Sequence, residues 1–287
     1  MQSSSSLQPP VRTVLAPLAF SPRAAAVACE ARRWAAVLGA ELLLLHVGKD
    51  DQPTRRQLEE RLQGHGLSAV RLEIRDGKPG RTIVRAAVDL GADLIVAGAL
   101  EKEGALSYYV GSVARQVARR AGCSVLLLTQ PRVDPQPTRR WAMTVPRDDA
   151  SRQMLRFMSQ LAAVEKPQRI DLIGEYDMSG TGLALEGDLD LAEAEDRRAQ
   201  IHRQEQAKLA EFVADTPFTE SPMRLICLRG RVGHESAEHA RRTGADLLIS
   251  PAPASLGFWD KFIQHGVEFA LESLPCSMWL YRGGQRR

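Results

Sequence analysis

Short apolar runs alternate along this chain with longer stretches of helical period. In the first half the runs are RTVLAPL from Arg12, ELLLLHV from Glu41, SAVRLEIR from Ser68, DLIVAG from Asp93 and SVLLLT from Ser124. Each is strand-length, rich in leucine or β-branched residues, and bounded by glycine, proline or polar residues. Strand and helix in alternation predict a parallel sheet with helices on both faces, because parallel neighbours need crossover connections that cover it. Ser21-Pro22 predicts the start of the first helix, with the serine as N-cap and the proline at the first helical position. Gly39 predicts its end.

The pattern occurs twice. VRLEIRDGKPGRTIVRAAVDLGADLIVAGA from Val70 lines up without gaps on MRLICLRGRVGHESAEHARRTGADLLISPA from Met223, and the same spacing of 153 residues carries Gly104 to Gly257 and CSVLLL at Cys123 to CSMWLY at Cys276. Such a fixed period marks a duplicated unit. The first halves of the units align less tightly: RTVLAP from Arg12 resembles RWAMTVP from Arg140, with Pro17 over Pro146 at a shorter spacing of 129. The 24-residue difference predicts an insertion in the second unit, near 175–196, before a long helical stretch. QPRVDPQPTRR, with three prolines, reads as a short stiff linker that keeps the units adjacent. The expected organisation is a disordered tail at 1–10, a first unit at 11–131, a linker at 132–139 and a second unit at 140–287. The expected fold class is α/β: two tandem doubly wound domains, each a five-stranded parallel sheet with helices on both faces.

Composition removes several classes of function. With 44% hydrophobic and 25% charged residues, the 287-residue chain is of soluble globular type. No apolar run approaches the roughly 20 residues of a membrane span. MQSSSSLQPP has neither the basic segment nor the apolar core of a signal peptide, so a cytoplasmic location is expected. Cys29, Cys123, Cys227 and Cys276 form no C-x-x-C pair and read as buried thiols. His234 and His239 are five apart, off a common helical face, and no metal site is assigned. The net charge of +3 divides as +5 over 1–136 and −2 over 137–287, with no basic stripe interleaved with aromatics, so nucleic acid is excluded as a partner. The acidic series from Glu186 to Asp196 lacks the glycine and ligand alternation of a calcium loop; it reads as an acidic first turn favouring the dipole of the following helix.

Taken together, GKPGRTIVRAAVDLGADLIVAG, a loop, and VGSVARQVARRAGCSVLLLTQ resemble the second half of a universal stress protein domain. The whole chain resembles the tandem members of that family. The resemblance implies five-stranded α/β domains that pair through their last strands, here SVLLLT and SMWLY, and so an intramolecular pseudo-dimer. It also implies a test for ATP: binders carry a G-x2-G-x9-G-[ST] loop and an acidic residue at the end of the first strand. Glycines let the backbone close on phosphates, and the final hydroxyl and helix N-terminus donate to them.

In the first unit Gly98 and Gly111-Ser112 fall at the required spacing, Glu101 occupies the middle glycine position, and Gly104 supplies some of the missing flexibility. The carboxylates of Glu101 and Glu103 oppose a polyphosphate unless Lys102 or a metal compensates. Ala19 stands where binders have an aspartate. In the second unit the corresponding positions are Pro251, Ala254 and Gln264-His265, and no phosphate loop survives. Tyr108-Tyr109 and the corresponding Phe258, Trp259 and Phe262 either fold onto the core or form a surface for a protein partner. There is no G-x-S-x-G, H-E-x-x-H or Walker-type loop, and no nucleophile paired with a base. The resemblance therefore implies a stress-response binding or regulatory module rather than an enzyme, with Gly98, Gly104, Gly111 and Ser112 as its ATP-type loop residues. Two alternatives stand beside it. One is an ATP-binding switch or slow ATPase using the first unit with magnesium. The other is a scaffold that recruits a protein partner through the aromatic loops. Association of two chains into a homodimer stays open.

Overall fold

The computed structural model describes residues 11–101, 108–177, 191–216, 218, 221–230, 233–252, 271 and 273–283. Five strands of the first half, β1 (Thr13–Leu18), β2 (Glu41–Val47), β3 (Arg71–Arg75), β4 (Leu94–Gly98) and β7 (Ser124–Leu128), coincide with the five apolar runs. Between β4 and β7 lie two short strands, β5 (Leu100–Glu101) and β6 (Tyr108–Tyr109). The helices of this half are α1 (Ala24–Leu38), α2 (Gln52–Leu62), α3 (Pro79–Asp89) and α4 (Ser112–Arg120). The second half repeats the plan with β8 (Arg140–Thr144), α5 (Asp149–Glu165), β9 (Arg169–Tyr176), α6 (Leu191–Val213), β10 (Met223–Arg229), α7 (His234–Thr243), β11 (Leu247–Pro251) and β12 (Ser277–Tyr281).

All the long strands join one ten-stranded sheet in the order β10-β9-β8-β11-β12-β7-β4-β1-β2-β3. Read outward from its centre, each half has the same doubly wound order. Every neighbouring pair is parallel except β12 and β7, which are antiparallel. In that pair Trp279 lies opposite Leu126, and Met278 and Leu280 lie opposite Leu127 and Val125. Trp279 and Leu126 occupy equivalent places in the two repeats, so an approximate two-fold axis passes between them.

Strand periodicity divides the core by face. Val14, Ala16, Leu44, Leu126 and Trp279 face one layer, formed by α1, α5 and the apolar side of α6; Leu15, Leu43, Leu45, Leu127 and Leu280 face the other, formed by α3, α4 and α7. The repeated Gly-Ala-Asp has a use at each position. Gly91 and Gly244 take left-handed torsions (φ 62° and 60°) that end α3 and α7, and Ala92 and Ala245 are buried. Asp93 accepts the backbone N–H of Arg12 and Thr13 at 2.7 and 3.2 Å; Asp246 accepts those of Arg139 and Arg140, both at 2.9 Å. Each aspartate thus clips the strand that opens its own repeat.

The first helix starts later than Ser21-Pro22 predicts. Ser21 carbonyl oxygen accepts the Ala24 N–H at 3.1 Å, and this turn consumes the two residues before α1, whose N-cap is Arg23. Gly39 ends the helix in the left-handed conformation (φ 62°), as its sequence position predicts.

Candidate functional site

Gly98 is the last residue of β4, paired with Leu128 of β7. Beyond it the chain does not run as an open loop: β5 and β6 pair antiparallel, Leu100 with Tyr109 and Glu101 with Tyr108. This ribbon draws its two roots together, and at the second root Gly111 is the buried N-cap of α4 with Ser112 exposed as the first helical residue. Among the described residues no side chain caps that helix. Gly98, Gly111 and Ser112 therefore meet at the C-terminal edge of the sheet, whereas Gly104, Lys102 and Glu103 lie outside the described residues. Gly98 also has a packing reason to be glycine, since a Cβ there would stand 3.0 Å from Val27 Cγ2 of α1.

The neighbouring elements bring three side chains that stand outside the loop. Ala19, exposed after β1, accepts the Ser21 N–H through its carbonyl at 2.8 Å and offers nothing else. Phe20 follows, 41% exposed, with its ring centroid 4.5 Å from that of His46 at the end of β2. His46 is buried and its Nδ1 lies 2.9 Å from Leu18 carbonyl oxygen; a carbonyl only accepts, so Nδ1 carries the proton. Arg61 of α2 donates from Nη1 to Ser21 carbonyl oxygen at 3.2 Å and holds its guanidinium 5.9 Å from the Phe20 ring. Gly48 is fixed by the same cluster, because a Cβ there would meet His46 Nε2 at 2.7 Å. The signals in the sequence were a lone histidine ending a leucine run and an aromatic residue just past the first strand. Neither belongs to a phosphate motif.

In the second half the corresponding edge is covered. Arg147, just past β8 and at φ 69°, pairs with Glu205 of α6 at 2.6 Å, and Tyr176 at the end of β9 hydrogen-bonds His202 of α6 at 3.0 Å. Glu205 also takes Lys208 Nζ at 2.7 Å; burial works against its charge, but these hydrogen bonds and charges hold its carboxyl below the usual range. Close by, Glu175 accepts the N–H groups of Gly233 and Ser236 at 2.6 and 2.7 Å, so a carboxylate of the chain itself occupies the N-terminus of α7. Burial pushes Glu175 above the ordinary carboxylate pKa despite those donors. Gln264, His265, Phe258, Trp259 and Phe262 lie outside the described residues. Among the described residues there is no cluster of three metal-ligating side chains, and no helix is long and apolar enough to cross a membrane.

Comparison with known proteins agrees with this architecture. The model of the universal stress protein family matches residues 48–129. A functionally unknown protein from Pseudomonas aeruginosa PAO1 is 16% identical with a TM-score of 0.63, the match covering 95% of this chain and 93% of that one. A putative universal stress protein from Pseudomonas aeruginosa UCBPP-PA14 is 16% identical with a TM-score of 0.63 over 94% and 93%. A universal stress protein from Archaeoglobus fulgidus DSM 4304 is 12% identical with a TM-score of 0.60 over 95% and 97%. Residues 48–129 thus match the universal stress protein family, and over nearly its whole length the chain has the fold of solved universal stress proteins.

Proposed function

We propose that the chain is a tandem universal stress protein acting in the cytoplasm as a stress-response regulatory module. Its two domains, 11–131 and 140–287, form an internal pseudo-dimer through their last strands. The nucleotide loop of the first domain, at Gly98, Gly104, Gly111 and Ser112, is degenerate, and the second domain keeps none. The observation that carries this reading is the state of the two sheet edges. In the first domain the ends of the loop persist, but Ala19 supplies no carboxylate for an adenosine hydroxyl. In the second, α6 and its ion pair with Arg147 stand over the strand ends.

Native purification, denaturation and analysis of released adenine nucleotide test the proposal, followed by titration of ATP with magnesium. Absence of both bound nucleotide and thermal stabilisation is the expected result. Stoichiometric ATP, or stabilisation abolished by Gly111→Val, replaces it with the switch reading. The side-chain-free N-terminus of α4 is the one observation that favours that second reading.

A further inference from the structure

In the first half, α3 and α4 pack side by side on one face of the sheet. A single contact fixes how each is turned: a Cβ at Gly80 would collide with Gln116 Oε1, so these residues mark the line where the helices meet. Arg81 and Arg85 are four residues apart and Val88 three further, which places them on one outward stripe of α3 beside that line. Arg120, four residues after Gln116, rises on the side of α4 that faces α3. All four are exposed, Arg85 by 84% at its side chain and Val88 by 72%, and half-buried Val84 lies at their base.

The charge on this face is not balanced. α4 has no acidic residue, and α3 has one, Asp89. Arg75 of β3 already donates to that carboxylate at 2.7 Å, and Arg85 reaches it only at 4.0 Å. Among the described residues, Lys78, Arg81 and Arg120 have no acidic partner. The fold does not require cations here, as the second repeat shows. At the spacing of 153, Arg85 corresponds to Glu238, Val88 to Arg241 and Arg120 to Ser273, and Glu238 and Arg241 pair with each other. One repeat neutralises this helix within itself; the other leaves positive charge around an exposed valine.

We propose that the groove between α3 and α4 of the first half docks an acidic segment of a partner protein. Its carboxylates meet Arg81, Arg85 and Arg120, and an apolar side chain rests on Val84 and Val88. Guanidinium groups match carboxylates in planar, two-pronged geometry, and arginine is enriched in protein interfaces. The 11 residues of α3 extend about 16 Å, the span of about five residues of extended chain. Neither helix carries an aromatic ring on which a base could stack or which could anchor at a lipid interface, so the groove favours a protein over nucleic acid or membrane. None of these residues belongs to the nucleotide loop.

Fluorescence anisotropy of the full-length protein with a fluorescein-labelled peptide of repeated Leu-Glu-Glu, at constant ionic strength, tests the assignment. Saturable one-site binding is expected, weakened at least tenfold in an Arg85→Glu/Arg120→Ser variant. Those substitutions install residues that the second repeat already carries, so the variant should keep the wild-type melting temperature. Val88→Ser should weaken binding several-fold with no change of charge. Arg55→Ser/Arg56→Glu, an equal charge change on α2, should leave binding unaltered. Absence of saturable binding, or equal weakening by the α2 variant, overturns the proposal. So does tighter, Arg85- and Arg120-dependent binding of oligothymidylate or of phosphatidylserine vesicles, which would assign the face to nucleic acid or membrane instead.

Discussion

Two residues show how much local chemistry the fold depends on. Asp171 is 1% exposed and receives a two-pronged hydrogen bond from Arg224 at 2.8 and 2.9 Å and a contact from His239 Nε2 at 2.9 Å. Burial disfavours its charge, but the hydrogen bonds from Arg224 and His239 and the charge of Arg169 outweigh that and hold its pKa below the ordinary value. A depressed carboxylate pKa contributes stability above the unfolded value of about 3.9, and that stability is lost as pH falls through the folded value. Asp171→Asn should therefore flatten the acid limb of a stability profile measured by urea unfolding between pH 6 and 3. At neutral pH it should cost about 1–3 kcal/mol, because Arg224 is itself half exposed and is left to water rather than stranded. Gly98 gives a separate test at this scale. Gly98→Ala should destabilise by about 1–3 kcal/mol through overpacking against Val27, and Val27→Ala should relieve the loss in the double variant. If no relief appears in thermal unfolding, packing is not what keeps that glycine.

At the scale of elements, the central strand pair is fastened by equivalent residues of the two repeats. Ser124 Oγ accepts the Arg282 N–H at 3.0 Å, and Ser277 Oγ accepts the Thr129 N–H at 3.3 Å. The symmetry breaks at the Arg282 side chain, which is 3% exposed and whose guanidinium donates to Cys123 and Ala118 carbonyls at 3.0 and 2.6 Å, closing the end of α4. Burial lowers its pKa to about 10 and pushes the neighbouring Cys123 thiol up to about 12. Arg282→Met should cost about 1.5–3 kcal/mol per charged hydrogen bond lost, read as a lowered urea midpoint. The strands and both faces of the sheet were legible in the sequence because burial imposes a period of two on each strand, and the Gly-Ala-Asp repeat because each residue answers a backbone demand. The β5 and β6 ribbon was not legible. Its four residues carry no alternation long enough to detect, and two tyrosines read more readily as a core cap. Phe20, His46 and Arg61 were hidden for a different reason: they converge from β1, β2 and α2, and no single window contains them.

For the whole molecule, the ten-stranded sheet ends at β3 and β10, the two edges it has among the described residues. Both are charged, with Arg71, Glu73 and Arg75 on one and Arg224 and Arg229 on the other, the kind of edge that resists pairing with another chain. Light scattering after gel filtration should therefore return the single-chain mass of 31.6 kDa. A fragment ending at residue 139 should behave otherwise, because every residue of β7 is buried in the full chain and would be left open. Such a fragment should dimerise, and a dimer of the intact chain with a monomeric fragment would reverse the assignment of protected and open edges.

The central strand pair also sets what can exchange with what. Leu126 faces Trp279, whose indole meets Trp34 edge-on at 5.2 Å and lies against Phe157 at 5.9 Å. A small side chain opposite a large one fits only when the two repeats differ. Two copies of the second repeat would bring tryptophan against tryptophan, and two copies of the first would leave leucine against leucine with a void. Joining both repeats in one polypeptide thus sets a better-filled pair at the seam than either repeat would make with a copy of itself.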